Sequence, residues 1–94
     1  MPTSSVDKDS AVHKSVITMR RSLNSSDRLG APPDDALKGR LLRATTNIET
    51  INQNWPSDAL KSDVDRYVAH VQANSALYGE ASVKAVEAVQ RALS

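Results

Sequence analysis

Residues 37–78 read LKGRLLRATTNIETINQNWPSDALKSDVDRYVAHVQANSALY, and the spacing of their apolar positions decides the fold. Leu37, Leu41, Ala44, Ile48, Ile51 and Trp55 follow one another at steps of four and three, the repeat of a helix-packing seam. After a single break at Pro56 the same alternation resumes in Leu60, Val64, Tyr67, Val71, Asn74 and Tyr78. Pro56 drives Trp55 out of helical geometry, and Ser57 or Asp58 can cap the helix that follows, so the turn is short. A short turn between two seams predicts antiparallel helices meeting face to face.

Toward the N-terminus, Pro32-Pro33-Asp34-Asp35 is a start signal for the first of these helices. Proline in the first turn loses no useful donor, and the acids favour the positive end of the helix dipole. This helix is expected to run to about Asn54, weakened locally at Gly39 by about 1 kcal/mol relative to Ala. Before it, Val12, Val16, Met19 and Leu23 repeat the seam spacing in a shorter amphipathic helix, capped by Ser10 or Asp9. That helix is expected to stop in Asn24-Ser25-Ser26-Asp27, whose side chains compete for backbone partners. Residues 1–9 are polar and are read as a flexible N-terminal segment, with residues 10–94 as one helical-bundle domain.

Toward the C-terminus, the helix that opens after Pro56 should reach Tyr78. Gly79 is expected to kink it more than to break it, so that helix continues from about Glu80. Continuing the seam gives a stripe of Ala81, Ala85, Ala88 and Ala92, with Val83, Val86, Val89 and Leu93 on a bulkier face. Glu80/Lys84 and Glu87/Arg91 stand four apart with the acid first, the favourable order. The fold class is therefore all-α: a three- to four-helix bundle built on an antiparallel helical hairpin, the two central helices forming its core and the first helix packed across them.

Composition narrows the function classes. Leu, Ile and Val total 20 of 94 residues and there is no Phe, a thin supply of core. With 12 basic and 11 acidic residues the net charge is only +1, so little self-repulsion opposes folding. The first 43 residues hold 8 Lys/Arg and 5 Asp/Glu, a weaker basic bias than a nucleic-acid partner calls for. Without cysteine there is no disulfide, thiolate nucleophile or zinc–thiolate site. No apolar run is long enough for a membrane span or for the core of a cleaved signal. A soluble, cytoplasmic protein is expected, and export by a route that needs no cleaved signal is compatible with the sequence.

Nothing in the chain has the spacing of a catalytic or metal site, and neither a cofactor nor a small-molecule substrate is inferred. His13 and His70 lack a metal-ligand partner one helical turn on and are read as surface residues. Asp34/Asp35 and Asp63/Asp65 are dipole compensation and a solvated face, because carboxylates so placed do not oppose each other across a cleft. Tyr67 and Tyr78 belong to the seam. There is no glycine-rich phosphate loop and no nucleophile elbow.

The residues singled out concern association. Ile17 and Leu42 each lie one position past a seam residue, turned away from it, and with Leu29 they would form a partner patch if they converge. Lys38, Arg40 and Arg43 surround Leu42 and would give that patch a basic rim. Asn74, an amide at a seam position, is the candidate for fixing register or partner choice by pairing with another polar group.

Trp55-Pro56-Ser57 at the turn of a helical hairpin resembles the WXG-type substrates of type VII secretion, with Ser57 in place of their Gly. Pro56-Ser57-Asp58, Tyr67 and Ala85-Val86-Glu87 resemble the turn, mid-helix tyrosine and C-terminal stretch of needle and inner-rod subunits of type III secretion. These likenesses imply an assembly subunit or an exported substrate of a bacterial secretion apparatus. From the residues alone, the expected function is that of a non-catalytic helical protein whose partner is another protein or a second copy of itself.

Overall fold

Six helices account for most of the chain: α1 (Ala11–Ser25), α2 (Asp35–Ala44), α3 (Ile48–Asn54), α4 (Asp58–Ala73), α5 (Ser75–Tyr78) and α6 (Glu80–Leu93). The computed structural model describes residues 5–94, and there is no strand among them. Most of the starts are the ones the sequence announces. Ser10 Oγ accepts the His13 amide at the head of α1, Asp34 Oδ2 the Leu37 amide at the head of α2, and Ser57 Oγ the Leu60 amide at the head of α4. Trp55 is extended, as the proline after it requires, and the Trp55–Pro56 peptide bond is cis.

The long helix expected over 34–54 is two helices. Thr45 Oγ1 donates to the Leu41 carbonyl, and Thr46 Oγ1 to the Leu42 and Arg43 carbonyls, which ends α2. Asn47 Oδ1 then accepts the Thr50 amide and opens α3. Of the two isoleucines expected at the centre of the seam, Ile51 is buried whereas Ile48 is half-buried and packs on the edge of the core.

Gly79 makes a full break where a kink was expected. Asn74 closes α4, the single turn of α5 follows, and Gly79 at φ 92°, ψ 159° reverses the chain. The reversal turns α6 back along α4. Gln72 Nε2 reaches Glu87 Oε2 at 2.8 Å and Gln90 Nε2 reaches Asp65 Oδ1 at 3.0 Å, so the residues paired along the two helices run in opposite directions. Lys84 pairs with Glu80 at 3.3 Å, whereas Glu87 takes Gln72 as its partner.

The centre of the molecule consequently differs from the one expected. α6, not α2, is the principal neighbour of α4, and α1 packs along α6 in place of crossing the hairpin. Val86 and Val89 of α6 are fully enclosed between Val16, Met19 and Leu23 of α1 and Val64, Tyr67 and Val71 of α4, all of one core. α2 covers the other side of α4 through Leu37 and Leu41. Arg40 pins this contact with two hydrogen bonds to the carboxylate of Asp63, at 2.9 and 3.0 Å. A radius of gyration of 12.3 Å equals that of a close-packed chain of this length, roughly 12 Å.

Residues 5–9 were expected to be loose, yet they carry a core residue. Val6 is 6% exposed, and its backbone is held at both ends by one side chain. The Val6 amide donates to Asn52 Oδ1 and the Val6 carbonyl accepts from Asn52 Nδ2. The first four residues of that segment lie outside the described residues.

Candidate functional site

Two clusters of polar side chains are built into the core, and one open groove lies outside it. The first cluster closes the loop between α1 and α2. The Ala31 carbonyl accepts from His70 Nε2 and from Tyr78 Oη, each at 2.7 Å. A carbonyl oxygen only accepts, so His70 carries its proton on Nε2, and both lone pairs of Ala31 are used. His70, expected at the surface, is half-buried and stands edge-on to Tyr78, ring centroids 5.8 Å apart.

The second cluster crosses from α4 to α1. Ser22 Oγ donates to the Met19 carbonyl at 2.6 Å, so its bond to Tyr67 at 2.7 Å must have the phenol as donor. Burial pushes the Tyr67 hydroxyl well above the ordinary tyrosine range, partly offset by the Ser22 bond, and burial raises Tyr78 as well. These hydroxyls are locked donors at neutral pH. Each has a structural acceptor.

Asn74 does not reach a polar partner across the seam. Its Nδ2 donates to the His70 carbonyl one turn back, and its own carbonyl takes the Leu77 and Tyr78 amides. Asn74 therefore terminates α4 and starts α5 within its own chain segment.

The basic rim expected around Leu42 is divided between two sides of α2. Lys38 faces the α1–α2 loop and pairs with Asp27 at 3.7 Å, while Arg40 is committed to Asp63 across α4. The hydrogen bonds to Asp63, and then its charge, hold Arg40 above the usual arginine range. Arg43 lies on the Arg40 side, its guanidinium over Gly39. Leu42 is half-buried against the core, and Leu29 is likewise.

Ile17 is different. It is 37% exposed, and with Leu77 at 50% it is one of two large apolar side chains in the open among the described residues. It stands in a groove between α1 and the Thr45–Ile51 stretch, a cavity of about 210 Å³ floored by the buried Val16 and Ile51. The walls are polar: His13, Arg20 and Arg21 from α1, Thr46 and Asn47 from the break between α2 and α3. No carboxylate lines it.

Each wall has a local cause. Arg20 Nη1 donates to the Leu42 carbonyl at 2.7 Å and to Thr45 Oγ1 at 3.0 Å, placing a cation on the negative end of α2 and fixing that wall to α1. His13 Nδ1 lies 2.7 Å from the Lys8 carbonyl, which makes Nδ1 the protonated nitrogen and leaves Nε2 as an acceptor. Arg21 is exposed and makes no ion pair or side-chain hydrogen bond among the described residues. The volume is below the roughly 300–1,000 Å³ of small-molecule sites and suits one or two side chains of a larger partner.

Ile17 was legible in the sequence, and the walls were not. The groove exists because the helix breaks at Thr45–Asn47, and His13, Arg20 and Asn47 are brought to it only by that break. One signal was visible: α1 carries Lys14, Arg20 and Arg21 with no acidic residue in fifteen. Among the described residues no three His, Asp or Glu side chains are grouped to hold a metal ion, and no helix is long and apolar enough to cross a membrane. Comparison of the chain with protein-family models, with curated proteins and with solved structures gives no significant match in any of the three.

Proposed function

We propose that the protein is a non-catalytic helical interaction module: its four longer helices form an up-and-down bundle, and a partner docks in the groove between α1 and the Thr45–Ile51 stretch. The observation that carries this reading is Ile17. A large aliphatic side chain 37% exposed on an otherwise well-buried scaffold, at the lip of a groove with an apolar floor, marks a place where a second surface removes water. The groove is also rigidly framed. Arg20 ties one wall to the other, so little ordering cost falls on binding.

Selection from a displayed library of short helical peptides tests this. Enriched sequences should bind the wild-type chain and lose binding to Ile17→Asp, a substitution at a half-open position that leaves the core intact. Enrichment that is indifferent to Ile17→Asp would place the docking surface elsewhere and defeat the reading.

A further inference from the structure

Resting on that reading, the geometry points to an acidic amphipathic helix as the occupant of the groove between α1 and the Thr45–Ile51 stretch. Charge complementarity carries the inference. The groove is walled by two cations, Arg20 and Arg21, and by no carboxylate, whereas the chain as a whole is nearly neutral at +1. Within α1 no acid offsets these arginines over the fifteen residues from Ala11 to Ser25, and Lys14 lies on the other side of the helix, toward α6.

The free valences are specific. Arg21 has its whole guanidinium available among the described residues, and Arg20 spends only Nη1 on Leu42 and Thr45, leaving Nε and Nη2. An Arg with an unused fork matches a carboxylate in a two-point geometry. His13 Nε2, an acceptor, is open to an N–H or O–H of the occupant and not to its carboxylates, so the acidic preference rests on the two arginines. A ligand with carboxylates flanking an apolar stripe therefore meets cations at the walls, Ile17 at the lip and Val16 and Ile51 at the floor.

A helical occupant fits better than an extended one. One wall is the helix α1 and the other is the short Thr45–Asn47 turn with the first turns of α3, so there is no sheet edge for an extended segment to pair with. From His13 to Asn24 the groove follows α1 for about 16 Å, three turns of a helix. A nucleic-acid strand is the other polyanion to consider, but both tyrosines are buried in the core and Trp55 lies outside the groove, so no aromatic face is offered for base stacking.

The test uses the full chain and defined probes: the amphipathic peptide LEELLEELLEEL, its analogue with every Glu replaced by Lys, and an oligothymidylate of similar length. Saturable binding of the acidic peptide is expected, with backbone amide shifts confined to residues 13–24 and 45–51. The Lys analogue should bind at least tenfold more weakly. Arg21→Glu should weaken the acidic peptide at least fivefold, and Ile17→Asp at least tenfold. Both side chains are exposed, so thermal melts of the variants should match wild type and separate binding from folding. Equal binding of the two peptides, with both lost in Ile17→Asp, would keep the groove as a docking site and overturn its acidic preference. Tighter binding of the oligothymidylate would overturn the peptide assignment, as would the absence of saturable acidic-peptide binding. Shifts outside the groove would overturn the site itself.

Discussion

Gly79 reverses the chain between α5 and α6 at φ 92°, ψ 159°, a region essentially closed to side-chain-bearing residues. A Cβ there meets nothing within 4 Å, so the obstacle to substitution is the backbone and not its neighbours. Gly79→Ala is expected to lower stability by about 1–3 kcal/mol. A stabilised variant in a denaturant melt would show that the chain does not need this conformation. The buried phenols give a second residue-scale expectation. Tyr67 and Tyr78 ionise near pH 10 in an unfolded chain and above it when folded, Tyr67 well above, so above pH 10 the unfolded state loses protons that the native state retains. Stability is thus complete below about pH 10 and falls as pH rises beyond it, with Tyr67 contributing up to about 1.4 kcal/mol per pH unit and Tyr78 acting in the same direction. Tyr67→Phe should flatten that decline. It should also cost about 1 kcal/mol at neutral pH through the lost bond to Ser22, which keeps Met19 as its acceptor. Equal alkaline sensitivity in Tyr67→Phe and wild type would place the proton loss elsewhere.

At the scale of elements, the seam separates residues that look alike in sequence. Ile51 is 2% exposed and Ile48 half-buried, because the helix that would have aligned them with Leu41 ends at Thr45 and restarts at Asn47. Ile51→Ala should therefore cost about 2–5 kcal/mol and Ile48→Ala under about 2 kcal/mol, measured by chemical denaturation. Matching losses would restore one continuous helix over 34–54. Helix existence, periodicity and most caps were legible, since Ser10, Asp34 and Ser57 act through their nearest neighbours. The break at Thr45–Asn47 follows from side chains bonding back to Leu41, Leu42 and Arg43, a chemistry visible in the residue types but overridden in the reading by the apolar repeat on either side. The helix partners were not legible. Heptad spacing gives each helix a buried face without naming what covers it, and the bulkier Val86, Val89 and Leu93 face of α6, not the alanine stripe that continues the seam, proved to be the one shared by α1 and α4. The Val6–Asn52 latch joins residues forty-six apart and leaves no local trace. For the candidate site, Ile17 was found because exposure follows from its place off the seam, whereas the cations around it belong to tertiary packing.

For the whole molecule, the distribution of apolar surface decides between a partner and self-assembly. The sequence holds more helical faces than three helices can bury, which favoured association between copies. Folding α6 back between α1 and α4 buries its valine and leucine face within one chain, leaving Ala81 and Ala92 of the alanine stripe and Ile17 of α1 exposed. Ala85, Val86, Val89 and Leu93 are buried, and the large apolar side chains left open among the described residues are Ile17 and Leu77. Two such residues fall well short of the apolar core of a stable homodimer interface. Sedimentation equilibrium combined with thermal melting over a hundredfold range of concentration tests this most directly. A single species of 10.2 kDa with a constant melting midpoint is the predicted result. A mass that rises toward the dimer together with a midpoint that climbs with concentration would contradict it, and would show that the faces of α1 and α6 are completed by a second chain.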